Sequence, residues 1–154
     1  MTTPTLPDAV RDALERTDVE AALVATLAAL AAESGTVHFV EADGLLHLAA
    51  HGPGMPPPVL ERIAKIPSGK GMAGLALERS EPVTICNLQT DDSGDARPGA
   101  KATGLEGSIV VPIYDTTDRA IGTLGVANRA PRTFTDEEIA LLDTIGRALA
   151  LTRA

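Results

Sequence analysis

The chain has 154 residues, 44 % hydrophobic and 22 % charged, which excludes a disordered or fibrous chain and fits one globular domain burying roughly 70 % of its unfolded surface. A formal charge of −8 lacks the basic stripe with which proteins dock on nucleic acid, and no apolar run approaches the roughly 20 residues of a membrane span. The single cysteine, Cys86, precludes an intrachain disulfide, a Cys-rich zinc site and a two-cysteine redox relay.

The N-terminus lacks a basic, apolar leader, so a cytoplasmic location is expected, with no nucleic-acid or membrane partner. Phe39, Phe134 and Tyr114 are the only aromatics, so Leu, Val, Ile and Ala fill the core and few rings are available for stacking.

In chain order, residues 1–16 read as an N-terminal extension, either loose or continuous with the first helix. Thr17 and Glu20 have capping-box spacing, and Leu23, Leu27 and Leu30 fall on one helical stripe that Gly35 is expected to end. Residues 36–40 and 45–51 flank Asp43-Gly44, a two-residue hairpin signal. An uninterrupted register puts Val37, Phe39, Leu46, Leu48 and Ala50 on the core face, and His38, His47 and His51 together on the other. His47 and His51 would then lie about 13 Å apart along the strand, too far for shared ligation without a bend. The histidines therefore read as solvated or partly buried surface groups, with a pH-sensitive or pocket-lining role as the alternative, and no metal is assigned.

Pro-rich residues 52–58 lead into a short helix over 59–66, and a second is expected over 72–78. The string GKGMAG at 69–74 matches a dinucleotide fingerprint literally. A helix rather than a strand precedes it, so the glycines read as serving a tight turn and close packing. It is not a P-loop, because Gly71 follows Lys70 where Ser or Thr is required.

Residues 82–88 form a strand carrying Cys86, which reads as a small core residue with no base beside it. The polar stretch 89–101, with solvated Asp91, Asp92 and Asp95, is long enough for a lid. Residues 107–115 are apolar without interruption, as in a strand covered on both faces. Residues 120–128 form a Gly-rich strand. Thr135 and Glu138 make a second capping box, with Phe134 and Ile139 as its staple, and open a helix whose stripe is Ile139, Leu142, Ile145 and Leu149.

Three strings, SGKGMAGLALERSEPVTI at 68–85, GLEGSIVVPI at 104–113 and IGTLGVANR at 121–129 followed by FTDEE at 134–138, resemble in order the segments of a GAF domain, over about residues 17–151. The resemblance implies an α+β fold: an antiparallel sheet of five or six strands, terminal helices on one face, and helices and loops forming a pocket on the other. It implies a regulatory module that binds an unidentified small cytosolic ligand and signals through its terminal helices to a partner protein. It further implies a homodimer built on the Leu23/Leu27/Leu30 and Ile139/Leu142/Ile145/Leu149 stripes.

Of the family's chemistries, cyclic-nucleotide binding is matched only approximately by Asn128, Arg129 and Phe134, since Arg replaces Lys and Asp136-Glu137 come too early. Residues 96–108 hold no Cys or His, and 1–35 no Cys, which disfavours a covalent bilin. Free methionine-(R)-sulfoxide reductases use several cysteines, and this chain has one, so an enzyme is not expected and no cofactor is assigned. Within the implied pocket, Cys86, Asn87, Gln89, Arg97, Lys101, Thr103 and Ser108 are the candidate ligand-binding residues, as polar groups at strand ends and in the lid. A ligand-free interaction scaffold is the alternative.

Overall fold

A computed structural model describes residues 3–96 and 98–153. Helix α1 (Asp8–Glu15) precedes α2 (Val19–Leu30), then come strands β1 (Ser34–Val40) and β2 (Leu46–His51), helix α3 (Pro57–Ile63), strand β3 (Lys65–Ile66) and helix α4 (Gly71–Arg79). Strand β4 (Val83–Ile85), a 3₁₀ segment (Pro98–Thr103), strands β5 (Gly107–Tyr114) and β6 (Ala120–Asn128), and helix α5 (Asp136–Ala150) complete it. The strands form one antiparallel sheet in the order β3-β2-β1-β6-β5-β4. Among the described residues no helix is long and apolar enough to cross a membrane.

Side chains alternate across the two central strands and β5, so each face has its own set. Val37, Phe39, Ile109, Val111, Ile113, Leu124 and Val126 meet Val10, Ala13, Leu23, Leu27, Leu30, Leu142, Ile145 and Leu149 in the main core. That places α1, α2 and α5 on one face. Across the sheet, Val83 and Val110 bury against Ala76 of α4, and Ile85, Leu88, Leu105 and Ala127 form a further small cluster. Both faces of β5 are covered, which is why it reads as unbroken apolar sequence.

The two helix stripes expected to join copies of the chain are consumed by this core, so they do not form an exposed seam. The segment ahead of Thr17 forms its own helix, because Thr17 turns into a left-handed conformation at φ 53° between α1 and α2. Asp18 therefore caps α2 in place of Thr17, accepting from the Ala21 N–H at 2.9 Å. Nor does Gly35 stop that helix: Ala31 is its left-handed C-cap, and Gly35 lies within β1. There a Cβ would collide with the Gly125 carbonyl and press on Leu27, so the glycine permits α2 to lie close on the sheet.

The largest departure is in the β1–β2 hairpin. Val37 pairs with Ala50 and His38 with Leu48, which leaves Ala49 as an extra, exposed residue in a β-bulge. Toward the turn, Leu46 and Leu48 thereby move to the face of Val40 and His38, while His47 moves to that of Phe39. The bulge thus separates His47 from His38 and His51, and His47 pairs instead with Asp43 at 2.8 Å. Helix α3 also ends earlier than its spacing predicts: Ile66 joins β3 and pairs with Leu46.

At α5 both halves of the capping box are made. The Thr135 hydroxyl accepts from the Glu138 N–H at 3.1 Å, and the Glu138 carboxylate accepts from the Thr135 N–H at 2.9 Å. Arg132 joins Glu138 and lies over the Phe134 ring. The Thr135 backbone N–H, with Arg132 adding to it, holds the Glu138 carboxyl below its ordinary pKa. Thr135→Ala should lower unfolding free energy by about 1 kcal/mol in urea titration. Because the folded-state pKa of Glu138 is depressed, its contribution is complete above about pH 4.3 and lost as pH falls through the lower folded value. The stability difference between wild type and Glu138→Gln should therefore shrink on acidification, and a difference that holds constant would contradict this account of the cap.

Candidate functional site

Between the sheet and the middle third of the chain lies a cavity of about 540 Å³, within the roughly 300–1,000 Å³ typical of small-molecule sites. Its floor is Thr36 and His38 of β1, Ser108 and Val110 of β5, and Gly125 and Ala127 of β6. The missing side chain at Gly125 deepens it: a Cβ there would stand 3.2 Å from Val110 and 3.4 Å from the Thr36 hydroxyl. Val59, Arg62 and Ile63 of α3, Ile66 of β3, and Lys70 to Ala73 at the start of α4 form the roof. Leu88, Ala96, Ala100, Thr103 and Leu105 close one side.

The glycine string leading into α4 shapes this roof. The Gly69 N–H donates to the Gly74 carbonyl at 2.8 Å, and a Cβ on Gly74 would strike the Pro67 carbonyl. A short strand, β3, does precede it, but β3 runs antiparallel to β2, so among the described residues the string serves a compact turn and not a parallel βαβ unit.

The side wall is braced by polar contacts of its own. Gln89 Nε2 donates to the Leu105 carbonyl at 2.7 Å, the Asn87 side chain accepts from the Gln89 N–H at 3.0 Å, and the Thr103 hydroxyl accepts from the Leu105 N–H at 3.1 Å. Arg79 of α4 reaches Asp95 at 3.5 Å across the wall's outer edge.

Two of the seven candidate residues, Thr103 and Ser108, line the cavity. Asn87 and Gln89 are spent on the wall's internal bonds, and Lys101 is exposed outside the lining. Arg97 lies outside the described residues. Cys86, read as a core residue, is exposed instead, with the Thr133 hydroxyl 3.9 Å from its sulfur. The strand carrying it ends at Ile85, so Cys86 escapes the alternation that buries Val83 and Ile85. The residues nearest a cyclic-nucleotide pattern are engaged outside the cavity lining: Asn128 Nδ2 donates to the Ala31 carbonyl at 2.8 Å, Arg129 pairs with Glu33 at 3.3 Å, and Phe134 is in the main core.

Sequence reasoning missed Arg62 and Lys70, and gave His38 a pocket-lining role only as the alternative. His38 is 1 % exposed, and its Nε2 donates to the Ile63 carbonyl at 2.8 Å, which ties the cavity floor to α3. That bond fixes the tautomer, leaving Nδ1 as an acceptor with no partner among the described residues. Thr123, its cross-strand neighbour on β6, likewise has an unpartnered hydroxyl. Burial holds the His38 pKa below its ordinary value, against a smaller opposing effect from the Ile63 bond. Among the described residues no three His, Cys, Asp or Glu side chains converge as a metal site.

A GAF domain profile matches residues 13–152, and the chain belongs to the GAF domain family. Among solved structures it resembles the GAF domain of an Acinetobacter phosphoenolpyruvate-protein phosphotransferase, with a TM-score of 0.75 at 17 % identity over 94 % of this chain and 90 % of that one. A type II free methionine-R-sulfoxide reductase from Thermoplasma acidophilum gives 0.70 at 20 % identity over 94 % of both chains. A domain of a putative two-component sensor histidine kinase protein from Sinorhizobium meliloti 1021 gives 0.67 at 20 % identity, over 96 % of this chain and 92 % of that one. Curated proteins give no significant match. The six-stranded α+β architecture is that of these GAF-like neighbours.

The neutral ring predicts a pH dependence. With the folded-state pKa of His38 lowered, stability is full above about pH 6.5 and is lost as pH falls toward the folded value, because the unfolded chain takes up a proton that the buried ring resists. Urea unfolding through this window should show wild type losing stability and His38→Gln losing less. Equal slopes would contradict a buried, neutral His38.

Proposed function

We infer that this chain is a GAF sensor module, which binds a small cytosolic molecule in the cavity between sheet and roof and signals through its terminal helices without catalysing a reaction. The observation that carries this reading is the cavity of about 540 Å³ with its mixed lining of apolar walls and a few convergent polar groups. Thr103 and Ser108 contact the ligand in this reading, whereas Asn87 and Gln89 keep the wall in shape. Lys101 and Cys86 lie outside the lining and carry no contact in this reading.

Support for a signalling context comes from the similar domains belonging to a phosphotransferase and to a putative sensor kinase. A ligand that orders the wall would couple to α2 and α5 through the shared sheet, and couplings of this kind are typically about 1–3 kcal/mol. The homodimer belongs to the same proposal. With the helix stripes buried, its contact would draw on outward residues of the terminal segments such as Val24 or Leu151, 57 % and 62 % exposed. The position of Cys86 outside the cavity lining favours binding over sulfoxide reduction.

Native mass spectrometry of gently purified protein should report a retained small molecule and two chains per particle. Thermal-shift screening against a broad metabolite panel should find a compound that raises Tm, with stabilisation of about 2.7 kcal/mol at a hundredfold excess over Kd. Ala73→Phe, which fills the cavity from α4, should abolish that shift. A panel without any stabilising compound, or a shift untouched by Ala73→Phe, would count against the cavity as the binding site.

A further inference from the structure

The chain is strongly acidic, with 21 carboxylate and 13 basic side chains, yet the charged groups that line its cavity are Arg62 and Lys70 alone among the described residues. Neither lies within ion-pair distance of a carboxylate among those residues, while the paired arginines are all elsewhere. In a molecule with an excess of negative charge, two cations without an ion pair give this cavity a positive lining, while the Glu78 carboxylate packs against Gly69 outside that lining.

Helix α4 adds to it. Lys70 is the N-cap, no side chain caps the helix, and the first-turn N–H groups of Gly71, Met72 and Ala73 have no acceptor among the described residues. All three residues line the cavity, so the positive end of a nine-residue helix faces the same space as the two cations. A further observation comes from the floor. Ser108 is only 8 % exposed and lines the cavity, and its hydroxyl makes no hydrogen bond to any described residue. Open to the cavity and not bonded to the protein, that hydroxyl is free to bond a polar ligand atom.

The rest of the lining sets the remainder of the ligand. Val59, Ile63, Ile66, Met72, Leu105 and Val110 supply aliphatic walls, no described Phe, Tyr or Trp lines the space, and the His38 imidazole in the floor is 1 % exposed. A planar base or extended chromophore would find no large ring to stack on, whereas a flexible hydrocarbon body would bury its surface at roughly 25 cal/mol per Å². The geometry points to an organic acid with an aliphatic body as the ligand, its carboxylate held by Arg62, Lys70 and the first turn of α4. This rests on the reading of the cavity as the ligand site and adds the chemical class that site accepts.

The test compares octanoate with octanamide, equal in length and differing in charge, by titration calorimetry on the full chain. Octanoate should bind about tenfold more tightly than octanamide, as expected for charge-assisted bonds at a partly exposed rim. The Arg62→Gln/Lys70→Gln double variant should lose that preference and keep its octanamide affinity. Both positions are exposed, so the variant should fold, which circular dichroism checks. Raising salt should narrow the gap in wild type.

Equal binding of the two probes, or a preference that survives in the double variant, would overturn the organic-acid inference. If octanamide binding is then lost in Ala73→Phe, the cavity still stands as the binding site. Binding of neither probe by a protein that takes up another class of metabolite in the panel would likewise overturn this inference alone.

Discussion

One asymmetry governs the molecule: a single twisted sheet with one face packed full and the other left partly empty. On the full face, seven apolar strand residues interlock with three helices, and each buried Leu, Ile or Phe contributes about 1.5–3 kcal/mol. On the other face, Thr36, His38, Ser108 and Gly125 replace the aliphatic set and leave a void that the roof only spans. An unfilled cavity is unfavourable on its own account because its walls lose dispersion contacts. The packed face supplies the stability that lets the opposite face stay open.

Several contacts tie the two layers together across the sheet's ends. The Asn128 amide and the Arg132 guanidinium both donate to the Ala31 carbonyl, so the end of α2 is satisfied from β6 and the segment beyond it. Arg132 also joins Glu138 at the start of α5, and its own N–H donates to the Cys86 carbonyl just past β4. A cluster that could be mistaken for a ligand site by residue type is thereby committed to holding α2, β4 and α5 in one arrangement. On the cavity side the bond from His38 to Ile63 does the equivalent work, fixing α3 over the floor. Movement of the roof on ligand binding would be felt first at that bond and at the Arg79–Asp95 pair.

The parts of the fold legible in the sequence are those set by neighbours along the chain. The Thr135/Glu138 box formed as its spacing predicts, because its bonds span three residues and need no distant partner. Strands β5 and β6 were equally plain, β5 because burial on both faces leaves an apolar run and β6 as a Gly-rich strand just after it. The Thr17 cap and the Gly35 stop went wrong for the converse reason. Asp18 competes for the same helix end one residue later, and Gly35 answers to the approach of α2 and β6, which no local pattern encodes.

The site was less legible still. Thr103 and Ser108 could be chosen because they adjoin a recognisable strand, but Arg62 and Lys70 sit in pocket-forming segments whose local pattern does not show which side chains face the cavity. In the hairpin, one extra residue at Ala49 reverses the faces of Leu46, His47 and Leu48, since strand side chains alternate with a period of two. The sequence by itself determined the family, the α+β architecture and the capped elements, because local periodicity and capping act over a few residues. Which polar and charged side chains share the cavity was decided only by tertiary structure, because a bulge, a close helix approach and a roof folded back over the sheet join residues far apart along the chain.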